Sequence, residues 1–381
     1  MTILVAVDKF KGSLSGVELS QAIVDGLQQE LGESVQPRVC PIADGGDGTV
    51  AAALAAGFTG VKCEVTGAHG KPVAAEYAFD AESGRAVIEV AEACGLRLLV
   101  EQRDPLGAST YGVGQLLLHA IDSGAREIII GLGGTASTDG GAGMLSALGV
   151  RFEGAKDPAA VHGGAALAGL KNVDFSDLNP ALREVKFIIA SDVDNPLTGE
   201  QGAAAVYGPQ KGATAEQVQQ LDGLLANFAE IAEKNLGVVL GKFAQQPGAG
   251  AAGGLGFACL AVLGAEMRPG IEVVFEMTGF HRALQGATVV ITGEGKFDAQ
   301  TLHGKGPAGV AAAAREQGAK VFAICGVCEL PEKEWREAGF DGVFATADGG
   351  ISPEQSLQNP ASYAREAAAR LASHLRTAGL A

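Results

Sequence analysis

The hydrophobic pattern at the start of the chain alternates short apolar runs with amphipathic segments. Residues 3–7 form an apolar run that ends at Asp8, which is typical of a buried strand. Ser15 and Glu18 form the S-x-x-E signature of a helix start, and an apolar stripe at spacing four follows. A second strand is predicted over 35–42 and a second helix over 50–56, closed by Gly57. These elements predict a β-α-β-α unit whose parallel strands present their carboxyl ends on one edge.

The pattern changes near residue 61 and returns near residue 287. Between these points we predict a hairpin around a Gly-Lys-Pro turn, strands at 86–90, 128–130 and 186–190, and helices at 107–123, 144–150, 214–236 and 257–263. After residue 287 we predict strands at 288–292, 321–325 and 342–346, and helices at 307–317, 331–338 and 363–377.

This organisation predicts an α/β fold with two lobes. Both chain ends, residues 1–60 and 287–381, form a Rossmann-like lobe with a parallel sheet. Residues 61–286 form an inserted second α/β lobe. Two connections between the lobes predict a cleft, and clefts between domains are common ligand sites.

Composition narrows the function. The 381 residues carry a formal net charge of −16, which argues against nucleic acid as the main partner. No signal peptide or membrane-spanning run is visible, and six dispersed cysteines suit a reducing, cytoplasmic protein with core thiols. Because the chain is acidic, local lysines and backbone amides must capture any anionic substrate.

Five loops that follow apolar runs carry carboxylates among glycines or other turn-forming residues. The carboxylates are Asp8; Asp44 and Asp47; Asp139; Asp192 and Asp194; and Glu294 and Asp298. Any one loop is explained equally well as a simple turn. Five together at strand ends favour carboxylates that hold Mg²⁺ and act as a general base. Lysines in the same loops, which phosphate transfer would use to neutralise charge, are Lys9, Lys11, Lys296 and Lys305.

The central stretch, residues 128–144, reads IIIGLGGTASTDGGAGM. A β-branched run, a glycine-rich turn and then an apolar segment is the usual order for holding phosphate on backbone amides. A tight turn between packed elements is the simpler alternative, because the chain has 56 glycines.

Other motifs leave alternatives open. The P-loop pattern G-x-x-x-x-G-K-[ST] is absent, whereas GAGAAG at 248–253 matches the dinucleotide pattern G-x-G-x-x-G without a clean strand before it. An oxidoreductase with a nucleotide cofactor is therefore a second class. A sensor of small acids with the same two-lobed cleft and no turnover is a third.

Six motifs occur in one order across nearly the whole chain: DKFKGSLS, PIADGGDGT, GLGGTASTDGGAGM, SDVDNPLTG, GAGAAGGLG and GEGKFDAQT. Together they closely resemble the type-1 glycerate kinase family. The resemblance implies ATP-dependent, Mg²⁺-dependent phosphorylation of glycerate to 2-phosphoglycerate by a cytoplasmic bacterial enzyme, in a cleft between a Rossmann-like lobe and an inserted lobe. The same reaction giving 3-phosphoglycerate is the nearest alternative, and the oligomeric state is open.

The matching motifs supply hypotheses for the site. The catalytic candidates are Asp8, Lys11, Asp44, Asp47, Asp192 and Asp298, with Asp192 and Asp298 also as metal ligands. The substrate-binding candidates are Ser13, Gly45, Gly46, Ser137, Thr138, Asp139, Asp194 and Asn195. The nucleotide-binding candidates are Gly133, Gly134, Gly140, Gly141, Glu294 and Lys296.

Three motifs depart from the common family pattern. Lys9 stands where the family often has Ser, Asp47 where it often has Glu, and Thr138 where Asn is more usual. These changes retain charge or polarity in the loops, so they bear on tuning rather than on the reaction.

Overall fold

The structure is a computed structural model that describes residues 1–32, 35–99, 103–158, 160–302 and 306–380. The strands, in chain order, are β1 (Ile3–Val7), β2 (Arg38–Val39), β3 (Thr59–Thr66), β4 (Pro72–Asp80), β5 (Arg85–Glu89), β6 (Glu127–Gly131), β7 (Arg151–Glu153), β8 (Asn172–Asp174), β9 (Lys186–Ala190), β10 (Glu266–Arg268), β11 (Val289–Gly293), β12 (Lys296–Phe297), β13 (Lys320–Cys325), β14 (Val327–Cys328) and β15 (Gly342–Ala345).

The helices, in chain order, are α1 (Gly16–Leu31), α2 (Thr49–Ala55), α3 (Ala91–Cys94), α4 (Tyr111–Asp122), α5 (Ala142–Ala147), α6 (Ala203–Tyr207), α7 (Ala215–Asn235), α8 (Ala251–Ala261), α9 (Gly270–Thr278), α10 (Phe280–Leu284), α11 (Gly306–Glu316), α12 (Glu332–Glu337), α13 (Pro353–Gln358) and α14 (Pro360–Thr377). Short 3₁₀ turns, among them Pro209–Lys211, connect several of these elements.

The chain divides into two compact units. Unit 1 is Met1–Asp44, Ala51–Gly57 and Ile271–Ala381, and unit 2 is Gly45–Val50 and Phe58–Gly270. The predicted lobes, 1–60 with 287–381 and 61–286, place the second boundary further along the chain and assign residues 45–50 to the first lobe. The observed division follows packing instead. Ile271 and Val274 of α9 are buried, and a Cβ at Gly309 of α11 would lie 3.0 Å from Ile271 Cγ1.

Unit 1 is built on a parallel sheet in the order β15-β13-β11-β1-β2. The fully buried run of β1 pairs in register with β11, so the start and the end of the chain meet in one sheet. Helix α1 begins with the predicted capping box, in which Ser15 Oγ accepts from the Glu18 amide and the Glu18 carboxylate accepts from the Ser15 amide. Apolar residues of α1 and α14, including Leu19, Ile23 and Leu371, form one core cluster with this sheet.

Unit 2 is built on a mixed sheet in the order β10-β9-β6-β5-β4-β3. Strands β10, β9, β6 and β5 are parallel, and β4 and β3 form the predicted antiparallel hairpin, with Thr66 paired to Pro72 across the turn. Its core cluster contains Ile128 and Ile130 of β6 and Phe257 of α8. The predicted α/β fold with parallel sheets is confirmed, and it places the carboxyl ends of β5, β6 and β9 on one edge.

Several element boundaries differ from the prediction for local reasons. The second strand is confined to Arg38–Val39, because Pro37 has no amide proton to donate to a sheet. Helix α5 ends at Ala147 rather than at 150, since Gly149 follows with φ +106°. The cysteines are free thiols, and Cys40, Cys94, Cys259 and Cys325 are buried. Throughout the described ranges, no helix combines the length and apolar character that a bilayer crossing needs.

Candidate active site

Two predicted carboxylates, Asp8 and Glu294, directly follow the paired strands β1 and β11 of unit 1. The Asp8 amide donates to the Gly293 carbonyl at 2.9 Å, which extends the strand pairing beyond Val7. The Asp8 side chain is 14% exposed, and its Oδ1 accepts from the Lys9 amide at 2.7 Å and lies 3.8 Å from Lys9 Nζ. The sheet therefore holds this carboxylate in a defined and largely dry position.

The protonation of Asp8 is set by this environment. Burial raises the pKa of Asp8 from 3.8 to about 7; the Lys9 ammonium lowers it in part, and the charges of Asp44 and Glu294 raise it further. Asp8, Asp44 and Glu294 thus share one electrostatic environment in unit 1, as expected for carboxylates that follow parallel strands. A carboxyl group with a pKa near neutrality is suited to accept a proton during catalysis.

The loop between β1 and α1 is a tight turn that presents Lys11. Phe10 and Leu14 exchange two backbone hydrogen bonds of 2.9 and 3.0 Å, and a Cβ at Gly295 would lie 3.3 Å from the Lys11 amide. Lys11 is exposed, so its ammonium is accessible to an anion. Ser13 Oγ donates to the Phe10 carbonyl at 3.2 Å, so binding a substrate carboxylate requires Ser13 to release that bond.

Lys296 begins the short strand β12, which follows β11, and Asp298 directly follows β12. Lys296 Nζ is 3.4 Å from Asp298 Oδ2 and 2.9 Å from Glu329 Oε2, and the Gln300 amide donates to Asp298 Oδ1 at 2.8 Å. Lys296 is exposed and Asp298 is half-buried. Both side chains are accessible, but each is already part of a charge pair.

In unit 2, a buried carboxylate at the end of β5 holds the DGGDGT loop. Glu89 is 5% exposed, and its Oε1 accepts from the Gly48 amide at 2.9 Å and from the Val50 amide at 2.8 Å. Glu89 was not predicted as a site residue; its signal in the sequence was an acidic residue inside the predicted apolar strand 86–90. These bonds fix the segment that carries Gly45, Gly46 and Asp47.

Gly45 and Gly46 pack against the ends of β6 and β9. Gly45 has φ +86°, and a Cβ there would lie 2.5 Å from Gly270 Cα and 3.1 Å from Ala190. A Cβ at Gly133 would lie 3.0 Å from both the Asp47 amide nitrogen and Gly46 Cα. The DGGDGT loop and the central glycine-rich loop are therefore in direct contact at this edge, and Gly45 has no room for a side chain.

Asp139 lies inside the central glycine-rich loop. It is 0% exposed, and its carboxylate accepts from the Thr110 amide at 2.8 Å and the Thr110 hydroxyl at 2.9 Å. It also accepts from the amides of Gly141 at 3.1 Å and Gly143 at 3.3 Å. Ser137 and Thr138 are likewise 0% exposed. Burial raises the pKa of Asp139, and the donors from Thr110, Gly141 and Gly143 oppose that rise.

The glycines of this loop fall into two groups. The Gly140 amide donates to the Gly253 carbonyl at 3.0 Å and the Gly141 amide to Asp139, so both amides are engaged within the protein. Gly134, with φ +71°, is exposed and Gly133 is half-buried. The predicted phosphate contacts therefore fit Gly133 and Gly134 better than Gly140 and Gly141.

The GAGAAG segment, residues 248–253, packs against the central glycine-rich loop. A Cβ at Gly253 would clash with the Ser137 carbonyl, and one at Gly254 would lie 2.8 Å from Gly140 Cα. Ala252 is left-handed with φ +53°, and residues 236–250, which precede the helix, contain no strand. The strand–turn–helix context of a dinucleotide fingerprint is thus not found here, since these glycines serve loop packing instead.

The loop after β9 contains Asp192, Asp194 and Asn195. Asp192 and Asp194 are exposed, and Asp192 Oδ1 accepts from the Gly270 amide at 3.0 Å. The Asn195 amide group is occupied within its own loop: Nδ2 donates to the Gln201 carbonyl at 2.9 Å, and Oδ1 accepts from the Tyr207 hydroxyl at 2.7 Å. Asn195 therefore shapes this loop, whereas the two aspartates are exposed on its surface.

Lys211 is a further buried residue that was not predicted from the sequence. It lies in the 3₁₀ turn Pro209–Lys211 and is 3% exposed. Its Nζ donates to the Ser137 carbonyl at 2.5 Å and to Thr135 Oγ1 at 3.3 Å. The motif G-P-Q-K-G was the available signal, but a lysine in a turn is usually solvated. Lys305, predicted in the loop after β11, lies outside the described residues.

The carboxylate oxygens near the strand ends have the chemistry that Mg²⁺ prefers. Across the part of the chain that the structure describes, no group of three or more His, Cys, Asp or Glu side chains is arranged to hold a metal. A magnesium ion that arrives with a nucleotide needs one or two carboxylates, because phosphates and water complete its shell. The exposed Asp192 and the half-buried Asp298 fit that limited role.

Comparison with known proteins gives the class first. The glycerate kinase of Halalkalibacterium halodurans is 43% identical over 374 residues, covering 97% of each chain. The glycerate 2-kinase of Escherichia coli K12 is 40% identical over 385 residues, covering all of both chains. A crystal structure from Salmonella typhimurium LT2, provisionally named glycerate kinase 2, matches with a TM-score of 0.86 and 39% identity over the whole length of both chains. The protein is therefore an α/β kinase.

The family follows from the same comparison. The family model described as the Glycerate kinase family matches residues 3–376. The chain belongs to the glycerate kinase family, as its six ordered motifs predicted.

Proposed function

We propose that this kinase transfers the γ-phosphoryl group of ATP to a hydroxyl of (R)-glycerate and releases ADP and 2-phosphoglycerate. The family membership supports the substrate, and the E. coli relative named glycerate 2-kinase supports the position of phosphorylation. The observation that carries the proposal is the electrostatic interaction among three carboxylates, those of Asp8, Asp44 and Glu294. Burial raises the pKa of Asp8 to about 7.

Asp8 is the proposed general base. As the glycerate oxygen forms its bond to phosphorus, its proton moves to the Asp8 carboxylate, and the bond between the γ-phosphorus and the bridging oxygen of ADP breaks. Asp44 and Glu294 favour protonation of Asp8 by their charge. The Lys9 amide and ammonium orient the carboxylate. General-base groups contribute about 10²–10⁴-fold to such steps.

The phosphate groups are assigned to accessible donors. We assign the amides of Gly133 and Gly134 and the Lys11 ammonium to phosphate oxygens, because these groups are exposed or half-buried. Glu294 and Lys296 complete the proposed nucleotide site, and Gly140 and Gly141 shape its loop. The residues proposed to bind glycerate directly are Ser13, Gly45, Gly46, Asp47 and Asp194. The residues proposed to contribute indirectly, by holding the loops of the glycerate site, are Ser137, Thr138, Asp139 and Asn195.

Asp192 and Asp298 are the proposed residues for Mg²⁺. When bound with the nucleotide, the ion would supply charge neutralisation for the phosphate oxygens. Asp192 already lies against the Gly270 amide and Asp298 beside Lys296, so each presents its carboxylate in a defined orientation.

The test is turnover by the purified chain with ATP, Mg²⁺ and D-glycerate. We expect ADP to accumulate and ³¹P NMR to show phosphate on the 2-hydroxyl. Phosphate on the 3-hydroxyl would overturn the product assignment alone. Absence of ADP formation would overturn the kinase proposal for this substrate.

Asp8→Asn separates a kinase from a sensor that binds small acids. A kinase with Asp8 as its general base loses kcat by about 10²–10⁴-fold, whereas a sensor would lose affinity at most. Lys156→Met, at an exposed lysine away from these loops, serves as the control and should retain wild-type kcat and KM.

A further inference from the structure

Lys211 places a positive charge inside unit 2, where the proposed chemistry has not used it. It is 3% exposed, and its two hydrogen-bond acceptors, the Ser137 carbonyl and the Thr135 hydroxyl, are both uncharged. Enclosing an ammonium in this way is unfavourable unless the site compensates it. A neutral side chain of similar length would fill the same space, so the charge and its donors need an explanation.

The turn that carries Lys211 is itself rigid. Pro209 begins the 3₁₀ turn, the Lys211 amide donates to the Gly208 carbonyl at 3.0 Å, and Gly212 closes it with φ +93°. Arg103 donates to the Gln210 carbonyl at 2.9 Å from the other side. Hydrogen bonds therefore hold the backbone that carries the Lys211 ammonium towards residues 135 and 137.

Lys211 and Asp139 bind opposite ends of one segment. Lys211 binds the loop at residues 135 and 137, while Asp139 binds Thr110 and the amides of Gly141 and Gly143. The Asp139 charge acts on Lys211 through space. Two buried groups of opposite charge thus fix the conformation of residues 135–139, immediately after the accessible Gly133 and Gly134.

We propose that Lys211 is a positioning residue for phosphate binding: it holds residues 135–137 so that the amides of Gly133 and Gly134 face the nucleotide phosphates. The inference rests on the proposed function for the identity of the ligand. Its structural part, the ordering of the loop by a buried ammonium, stands independently of that function.

Hydrogen exchange in the ligand-free protein tests the structural part. In Lys211→Met, peptides covering residues 132–138 should exchange at least tenfold faster than in the wild type, while β6 and α5 peptides keep their protection. Lys211→Arg should retain most of the protection, because it retains a charged donor. Thr135→Val should give an intermediate increase, since the Ser137 contact remains, and it replaces Lys211→Met if that variant fails to fold.

Steady-state kinetics test whether the loop held by Lys211 binds the nucleotide. Lys211→Met should raise KM for ATP at least tenfold and KM for glycerate by a smaller factor, because Ser137 and Thr138 of the same loop are assigned to glycerate. Lys211→Arg should restore both constants, which a general loss of structure would not predict. Lys156→Met should leave both constants unchanged.

The pH profile gives a further readout. Burial lowers the pKa of Lys211 to about 8, against smaller opposite effects of Cys94 and Asp139. Arg103 donates to the carbonyl of the neighbouring Gln210. Burial holds the pKa of Cys94 at about 12, so the Cys94 thiol does not titrate in this range. Wild-type KM for ATP should therefore rise above pH 8 as Lys211 loses its proton, and this rise should be absent in Lys211→Met.

Unchanged exchange over residues 132–138 in both Lys211→Met and Thr135→Val would overturn the loop-ordering role. Faster exchange with unchanged KM for ATP would overturn the link to phosphate binding. If the wild type makes no ADP, the proposed function fails, and the exchange experiment still decides the loop-ordering role.

Discussion

Asp8 combines three features that rarely coincide on a surface carboxylate. The residue directly follows a buried parallel strand, its side chain is 14% exposed, and two further carboxylates act on it. Burial disfavours the charged form, so the proton is held more tightly in the folded protein than in the unfolded chain. The same residue therefore links activity and stability to pH.

The stability effect has a defined sign. Because the folded-state pKa of Asp8 is raised to about 7, the folded protein binds more protons than the unfolded chain between about pH 4 and pH 7. The free energy of unfolding should fall as pH rises through this window, by at most about 4 kcal/mol for the Asp8 contribution.

Asp8→Asn should remove that contribution. Chemical denaturation at pH 5 and pH 8 should show the variant gaining up to about 4 kcal/mol relative to the wild type at pH 8, and less than half of that gain at pH 5. Its kcat should fall by about 10²–10⁴-fold at both pH values if Asp8 is the general base. An equal stability difference at the two pH values would contradict the raised pKa.

At the scale of elements, α1 and α14 of unit 1 pack closely against each other. Gly26 lies in the middle of α1, and a Cβ there would clash with the Arg365 carbonyl and lie 2.8 Å from Ala368 Cβ. The absence of a side chain at this position lets the two helices, which are far apart in sequence, approach closely. A helix-propensity argument alone would favour alanine here.

Gly26→Ala and Gly223→Ala should have opposite effects on stability. Gly223 lies in α7, is exposed, and a Cβ there would have no neighbour within 4 Å, so alanine should stabilise by about 0.5–1 kcal/mol. Gly26→Ala should destabilise by about 1–3 kcal/mol because α1 and α14 must separate. Thermal unfolding of both variants measures the contrast, and stabilisation by both would show that the helices tolerate the extra carbon.

The sequence predicted the elements whose signals are local. The Ser15–Glu18 capping box placed the start of α1, and the apolar run at 186–190 coincides with β9. The left-handed backbone at Ala252 was not predictable, because alanine rarely adopts a positive φ. The packing of the following Gly253 and Gly254 was not predictable either, because they contact a loop more than a hundred residues earlier. Periodicity reports the face that an element buries and says nothing of which distant loop it meets.

The candidate site shows the same difference between local signals and long-range contacts. Carboxylates and glycines after apolar runs predicted which loops lie at strand ends, since topology alone gathers strand ends. Whether a side chain in such a loop faces solvent or the interior depends on packing, so Asp139 and the accessible Asp192 look alike in sequence. The burial and contacts of Lys211 could not be predicted for the same reason, because its partners Thr135 and Ser137 lie more than seventy positions away in the sequence.

At the scale of the whole molecule, the two units use the chain differently. The sheet and core cluster of unit 2 are drawn from one continuous stretch, with buried residues from Val65 to Ala265. Unit 1 depends on both ends, since its core joins Ile3 and Leu19 to Val289 and Leu375. A continuous segment with its own core is able to fold without the rest of the chain.

The fragment 45–270, which adds only the short segment Ala51–Gly57 from unit 1, should therefore fold by itself. The fragment 61–286, bounded as the sequence predicted, should be less stable. The shorter start removes the Gly48 and Val50 amides that satisfy Glu89 and cuts into β3. The longer end adds α9 and α10, whose Ile271, Val274 and Phe280 are buried in unit 1 and would be exposed in the fragment. We expect 45–270 to be monodisperse with a single cooperative unfolding transition, and 61–286 to aggregate or to unfold at a lower denaturant concentration. Equal behaviour of the two fragments by light scattering and chemical denaturation would show that residues 271–286 do not belong to unit 1.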